Sequence, residues 1–181
     1  MSHQVLRALR PLAFSPLRVQ FARAFATQAP PIEIKSTTDQ RVFGLRTTIE
    51  DYTSCESLWK TAFAAIDKHQ LSVAGPPFSI YYDPGFKPKD VDVEACVPIT
   101  SGAKAPLDLD DNIRVCTLPG FKRAACVLHV GSFTNIRDTY NRLFEWIASE
   151  GHEVVGPVRE FYLKGAVGLP PELTEIQVPI A

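Results

Sequence analysis

The chain has no apolar run approaching the roughly 18 residues a membrane-spanning helix needs. A helical span is therefore excluded. Its four cysteines, Cys55, Cys96, Cys116 and Cys126, form no C-x-x-C pair and have no histidine nearby at zinc spacing. They read as free thiols in a reducing compartment, with Cys126 in the apolar run Ala124-Ala125-Cys126-Val127-Leu128 a core residue. No metal site and no cofactor is expected.

Acids are missing from the N-terminus: Arg7, Arg10, Arg18 and Arg23 occur before the first carboxylate, Glu33. Such a composition is that of an organelle-targeting segment, and Arg23-Ala24-Phe25-Ala26-Thr27 has the pattern at which mitochondrial presequences are cut. Residues 1–31 are read as a presequence or disordered tail, giving a mitochondrial matrix address, with a cytoplasmic protein as the alternative. A basic surplus is missing too. Cleavage after residue 25 removes four of the 19 bases and none of the 20 acids, leaving 15 against 20. That balance argues against nucleic acid as the partner.

What the chain does contain is an internal repeat. A shift of 81 positions, the separation of Gly75 and Gly156, lays residues 32–99 on 113–180 without a gap. The twelve identities include Phe63 with Phe144, Ile66 with Ile147, Gly75-Pro76 with Gly156-Pro157, Tyr81 with Tyr162, and Glu94 with Glu175. Breakers, core positions and strand ends agree together, which marks a duplication of two modules closing about a pseudo-twofold axis. Each module reads as two strands, a helix and two more strands: Ile32 to Lys35 with Arg41 to Ile49, then Ile113 to Leu118 with Arg123 to Val130, are expected to be hairpins. Leu58, Trp59, Ala62, Phe63 and Ile66 stand at helical spacing, as do Tyr140, Leu143, Phe144 and Ile147. Thr53 or Ser54 and Thr134 or Asn135 are the expected caps, with ends near Gln70 and Gly151. The prediction is an α+β fold, an antiparallel sheet with two main helices and a ligand groove between the halves. Thr100 to Asp111 is expected to be a mobile linker and Lys164 to Pro171 a rim loop.

One strand carries an anomaly. In Gly156-Pro157-Val158-Arg159-Glu160-Phe161-Tyr162-Leu163, side-chain alternation puts Glu160 and Tyr162 on one face, with Arg159 and Phe161 on the other. The earlier copy has Ser79 where this one has Glu160, and both keep the tyrosine two positions on. Glu94 and Glu175 recur in both copies, which favours a fold role such as anchoring a strand.

The motifs His129-Val130-Gly131-Ser132-Phe133, Phe144-Glu145-Trp146-Ile147, Gly156-Pro157-x-x-Glu160-x-Tyr162 and Leu173 to Ile180, with Gly75-Pro76-Pro77-Phe78-x-Ile80-Tyr81 and Val91-Asp92-Val93-Glu94 in the first half, resemble the GyrI-like small-molecule-binding domain. That domain is also the effector-binding part of multidrug-responsive bacterial transcription activators. The resemblance covers residues 32 to 181 and implies a pocket between the halves with a buried acid among aromatics. Glu160 matches the acid; Tyr162, Tyr81 and Trp146 match aromatic positions, and Ser79 lines the facing strand. It implies an aromatic or cationic small-molecule ligand. Some stand-alone members hydrolyse cyclopropane-bearing toxins, in which case Glu160 would direct water and Tyr162 assist. The SOUL-type haem proteins share the architecture, and His69, His129 and His152 are the candidates for that alternative.

Overall fold

The computed structural model describes residues 29–106, 109–164 and 173–181. The expected presequence and the rim loop lie largely outside them. The described chain forms strands β1 (Ile32–Lys35), β2 (Gln40–Ile49), β3 (Phe78–Tyr81), β4 (Val91–Pro98), β5 (Ile113–Leu118), β6 (Ala124–Val130), β7 (Val158–Lys164) and β8 (Leu173–Pro179). Helix α1 (Cys55–Lys68) follows β2, and α2 (Ile136–Ser149) follows β6.

Both helices form where the apolar spacing puts them, α1 burying Leu58, Trp59, Ala62 and Ile66 and α2 burying Leu143 and Ile147. Their caps differ from expectation. Ser54 and Asn135 make no side-chain cap; a 3-10 turn precedes each helix, and Asp51 and Ser132 accept the backbone N–H of Thr53 and Thr134. Both helices stop at a left-handed residue, Gln70 (φ 52°) and its repeat equivalent Gly151 (φ 73°).

One antiparallel sheet takes all eight strands in the order β1-β6-β8-β7-β3-β4-β2-β5. Exchanging the two copies reverses this order onto itself, so the pseudo-twofold axis runs between β3 and β7. The expected hairpins are not there. Strand β1 pairs with β6 of the other half, and β5 pairs with β2. Alternation along a strand reports which face is buried but not which strand lies alongside, and the exchange leaves every face unchanged.

The connections of the exchanged strands are short, residues 36–39 and 119–123. Six strand spacings across a flat sheet come to about 29 Å at roughly 4.8 Å each, more than the ~20 Å that either connection can reach. The sheet must therefore curl until its ends approach. The two connections meet: Thr37 N donates to Phe121 O at 2.8 Å, Phe121 N to Thr37 Oγ1 at 2.7 Å, and Gly120 N to Asp39 Oδ1 at 2.9 Å. The repeated glutamates fasten the exchanged strands. Glu94 on β4 is wholly buried and reaches across β2 to β5, where Arg114 Nε and Nη2 donate to its carboxylate at 2.6 Å each; Tyr82 Oη donates at 2.6 Å as well. Its path is open because β2 has Gly44 there; a Cβ would lie 2.1 Å from Glu94 Oε1. On the other side Glu175 on β8 accepts from Lys35 Nζ of β1 at 2.9 Å.

The helices lie on one face. Under α1 pack Phe43, Leu45, Val93, Ala95 and Val97, and under α2 Ala125, Val127, Ile176 and Val178. The opposite face carries a third cluster, including Val42, Ile80, Cys96 and Leu118, centred on the Phe78–Phe161 stack at 4.3 Å between centroids. Arg159 belongs to that face, its guanidinium 3.9 Å above the Phe121 ring. The linker between the halves is anchored among the described residues, Ala103 and Leu109 resting against the first core.

At the crossing of the two connections, a Cβ on residue 120 would meet Thr37 O at 2.0 Å. Gly120→Ala is expected to cost at least about 2 kcal/mol, because backbone must move rather than a side-chain tip. Urea unfolding midpoints of the two proteins measure it, and equal midpoints would show that the crossing is looser than described.

Candidate functional site

Strand β3 meets β7 in a register that sets Ser79 directly opposite Glu160, with Phe78 opposite Phe161. Ser79 and Glu160 are also equivalents in the repeat, so the axis passes through this pair. Alternation sends both towards the helices together with Tyr81 and Tyr162, two residues further along each strand. The helices add another equivalent pair, Trp59 from α1 and Tyr140 from α2. The turns before them add a third, Tyr52 and Phe133.

Glu160 is 5% exposed. Tyr140 Oη donates to its Oε1 at 2.5 Å. Tyr162 Oη donates to Ser79 Oγ at 2.8 Å and lies 3.4 Å from Glu160 Oε2. Trp59 and Phe133 both stand edge-on to the Tyr162 ring, at 5.6 and 5.9 Å between centroids. From the first half an aromatic series runs outward: Tyr81 touches Tyr52 at 5.9 Å, and Tyr52 stacks on Phe86 at 5.6 Å. Phe86 is 71% exposed, and Arg137 at the start of α2 approaches its ring at 5.7 Å. Exposed Tyr52, Phe86 and Phe133, drawn from both halves, thus lead from Tyr81 and Tyr162 to the surface.

Among the described residues Glu160 has no cationic partner. Burial pushes its carboxyl up to about 7, against the opposing pull of hydrogen bonds from Tyr140, Tyr162 and Tyr81. The same burial, followed by the charge of Glu160, holds the Tyr81 and Tyr140 phenols well above their ordinary range. They stay donors. Cys55, at the start of α1, is pushed up to about 11 by burial and then by Glu160, so it remains a thiol. The arrangement can pair one cation, hold it by aromatic faces, or take a proton from water.

Of the residues singled out in the sequence, Glu160, Tyr162, Ser79 and Tyr81 come together. Trp146 does not join them: its ring lies 6.0 Å from His152, partly buried against the second core. The aromatics that do meet the acid or its tyrosines are Tyr140 and Trp59, which the helical pattern assigned to core, and Phe133. Tyr140, at Trp59 plus 81, could have been found by asking which aromatic pairs the repeat preserves. Neither His129 nor His152 approaches Glu160 in any described contact. His129 uses both ring nitrogens, on Thr139 Oγ1 at 2.9 Å and Ser132 O at 3.0 Å. A shallow cleft elsewhere, between α1 and β2 and including Thr47, Leu58 and Asn112, carries no ionisable side chain.

The sequence profile of the GyrI-like small molecule binding domain matches residues 30–181. Among solved structures, the EcmrR C-terminal domain superposes with a TM-score of 0.74 at 24% identity, covering 85% of this chain and 99% of that one. The EcmrR–DNA complex gives 0.74 at 23% identity over 91% of this chain, which spans only 62% of that protein. A hydrolase encoded by lin2189 from Listeria innocua gives 0.60 at 12% identity, covering 90% and 97% of the two chains. SAV2435 bound to tetraphenylphosphonium gives 0.56 at 13% identity, covering 83% and 94%. These structures share the fold. No curated protein matches the chain.

Glu160 binds its proton more tightly in the folded protein, near 7, than a free glutamate does at 4.5. Below pH 4.5 both states carry the proton, so this site imposes no penalty; as pH rises towards 7 the unfolded chain ionises first and stability falls. The loss expected across that window is on the order of 3 kcal/mol. Glu160→Gln should lack this contribution and be the more stable protein at pH 8, as denaturant unfolding at pH 5 and pH 8 would measure. Parallel curves for the two proteins would contradict the burial of a titrating acid.

Proposed function

Since the chain belongs to the family of GyrI-like small-molecule-binding domains, we propose that it binds a lipophilic, aromatic small molecule bearing one positive charge, seated over Glu160. The observation that carries this reading is a carboxyl 5% exposed, without a cationic partner among the described residues, inside a box of aromatic rings from both halves. A cation entering there supplies the missing counter-charge, and each ring face it meets adds about 0.5–2 kcal/mol. The tetraphenylphosphonium bound by SAV2435 is a ligand of this class and supports the reading.

A permanent cation binds the ionised carboxylate, so it must expel the proton that Glu160 holds below about pH 7. Affinity for tetraphenylphosphonium is expected to rise about tenfold per pH unit up to that value and then level, with about one proton released per ligand below it. Glu160→Gln should lose at least about tenfold in affinity at pH 8. Calorimetry in two buffers of different ionisation enthalpy measures both effects; equal affinity in the two proteins would sink the reading.

A second reading is favoured by one feature: the hydrogen bond that Oε2 of Glu160 receives from Tyr162 is long, 3.4 Å. An oxygen so placed, on a carboxyl near 7, can take a proton from water that attacks a strained, electrophilic ring. That the Listeria innocua neighbour is a hydrolase supports this. Gain of one water by a cyclopropane substrate, lost in Glu160→Gln, would establish turnover.

For the cellular setting we infer import into the mitochondrial matrix, on the arginine-rich, acid-free composition of residues 1–31. Fused to a fluorescent protein, residues 1–31 should deliver it to mitochondria; a diffuse cytosolic signal would overturn this and leave a cytoplasmic protein.

A further inference from the structure

Tyr162 has one hydroxyl proton, and oxygens of Ser79, Glu160 and Tyr81 lie around it. Ser79 Oγ is at 2.8 Å and Glu160 Oε2 at 3.4 Å, so the nearer oxygen takes it. Glu160 is consequently asymmetric: Oε1 is capped by Tyr140 at 2.5 Å, while the bond that Oε2 receives from Tyr162 is long, 3.4 Å, and the Tyr81 hydroxyl also bonds the carboxyl. Ser79 is wholly buried. It lies on the facing strand, directly across the axis from the acid.

We propose that Ser79 is the residue that determines which oxygen of Glu160 meets the ligand: by accepting the Tyr162 proton it leaves Oε2 open for a cation. Ser79 is then a specificity-determining and positioning residue rather than part of the wall. The inference rests on the cation-binding reading for its purpose but not for its chemistry. Without the serine hydroxyl, the Tyr162 proton turns to Oε2, the charged acceptor of the two that remain, the other being the Tyr81 hydroxyl. It would settle on Oε2, stabilise the ionised carboxylate, and obstruct the oxygen that a cation approaches.

The experiment is a ligand-free titration of the Glu160 carboxyl carbon by NMR, in wild type, Ser79→Ala, Tyr162→Phe and the double variant, with tetraphenylphosphonium affinity measured on each at pH 8. Ser79→Ala is expected to lower the Glu160 midpoint by about one pH unit and to weaken tetraphenylphosphonium binding by three- to tenfold. Tyr162→Phe should raise the midpoint, and the double variant should behave as Tyr162→Phe alone, since Ser79 acts only through that proton. If the alanine variant does not fold, Ser79→Cys, whose thiol accepts weakly, should shift the midpoint in the same direction by less. A midpoint that stays or rises in the Ser79 variants overturns the proposal, as do additive effects in the double variant. A rise would mean that Ser79 donates to Tyr162. Failure of wild type to bind tetraphenylphosphonium would refute the cation reading, while the ligand-free titration would still decide the role of Ser79.

Discussion

The antiparallel pairing of β3 with β7 is the constraint on which the candidate site depends. It is the seam where the halves join, and its register places equivalent residues 79 and 160 face to face on the pseudo-twofold axis. Directly opposed residues in such a pair have Cβ atoms only about 4.5–5.5 Å apart. Two glutamates there, both buried, would each raise the other's proton affinity until at most one ionised. A serine on one side and an acid on the other give a single charge at the centre of walls that remain nearly symmetric. Tyr81 and Tyr162, Trp59 and Tyr140, Tyr52 and Phe133 are those walls.

Glu160 is tolerated without a counter-ion among the described residues because the phenols around it donate hydrogen bonds while burial keeps them from ionising. The site holds a carboxyl that is expensive to charge. Other acids are treated differently. Glu94 is equally buried but meets Arg114 and Tyr82 at hydrogen-bond distance, so it holds strands together and is unavailable to a ligand. Arg159, adjacent to Glu160 in sequence, is kept from neutralising it by the pleat, which sends its guanidinium to Phe121 on the far face.

Much of this was legible in the residues. The 81-residue repeat located the strands and both helices, and alternation in β7 placed Glu160 with Tyr162 and away from Arg159 because a strand's side-chain period leaves no other choice. Strand partnership was not legible. Ile32 and Ile34 alternate identically whether they lie beside β2 or β6, and only the short connections around Thr37 and Gly120 impose the exchange. Trp146 and Trp59 show a similar limit. Both occur on amphipathic helices, and which aromatic reaches the acid depends on how each helix is rotated over the sheet, a property of packing rather than of spacing. Ser54 and Asn135 do stand at the N-cap positions, but their side chains make no capping bond, because a 3-10 turn started by Asp51 or Ser132 leads into each helix.

The exchange of β1 and β5 makes the two modules depend on each other. Each module places its first strand on the other module's sheet, held there by Glu94 through Arg114 or by Glu175 through Lys35. A module cut from the chain in this arrangement would leave its first strand, and the edge that receives its partner's, unpaired; two such modules complete each other's sheets. Joined in one chain, that pairing is independent of protein concentration, and the two positions that meet on the axis are free to differ, a hydroxyl in one copy and an acid in the other.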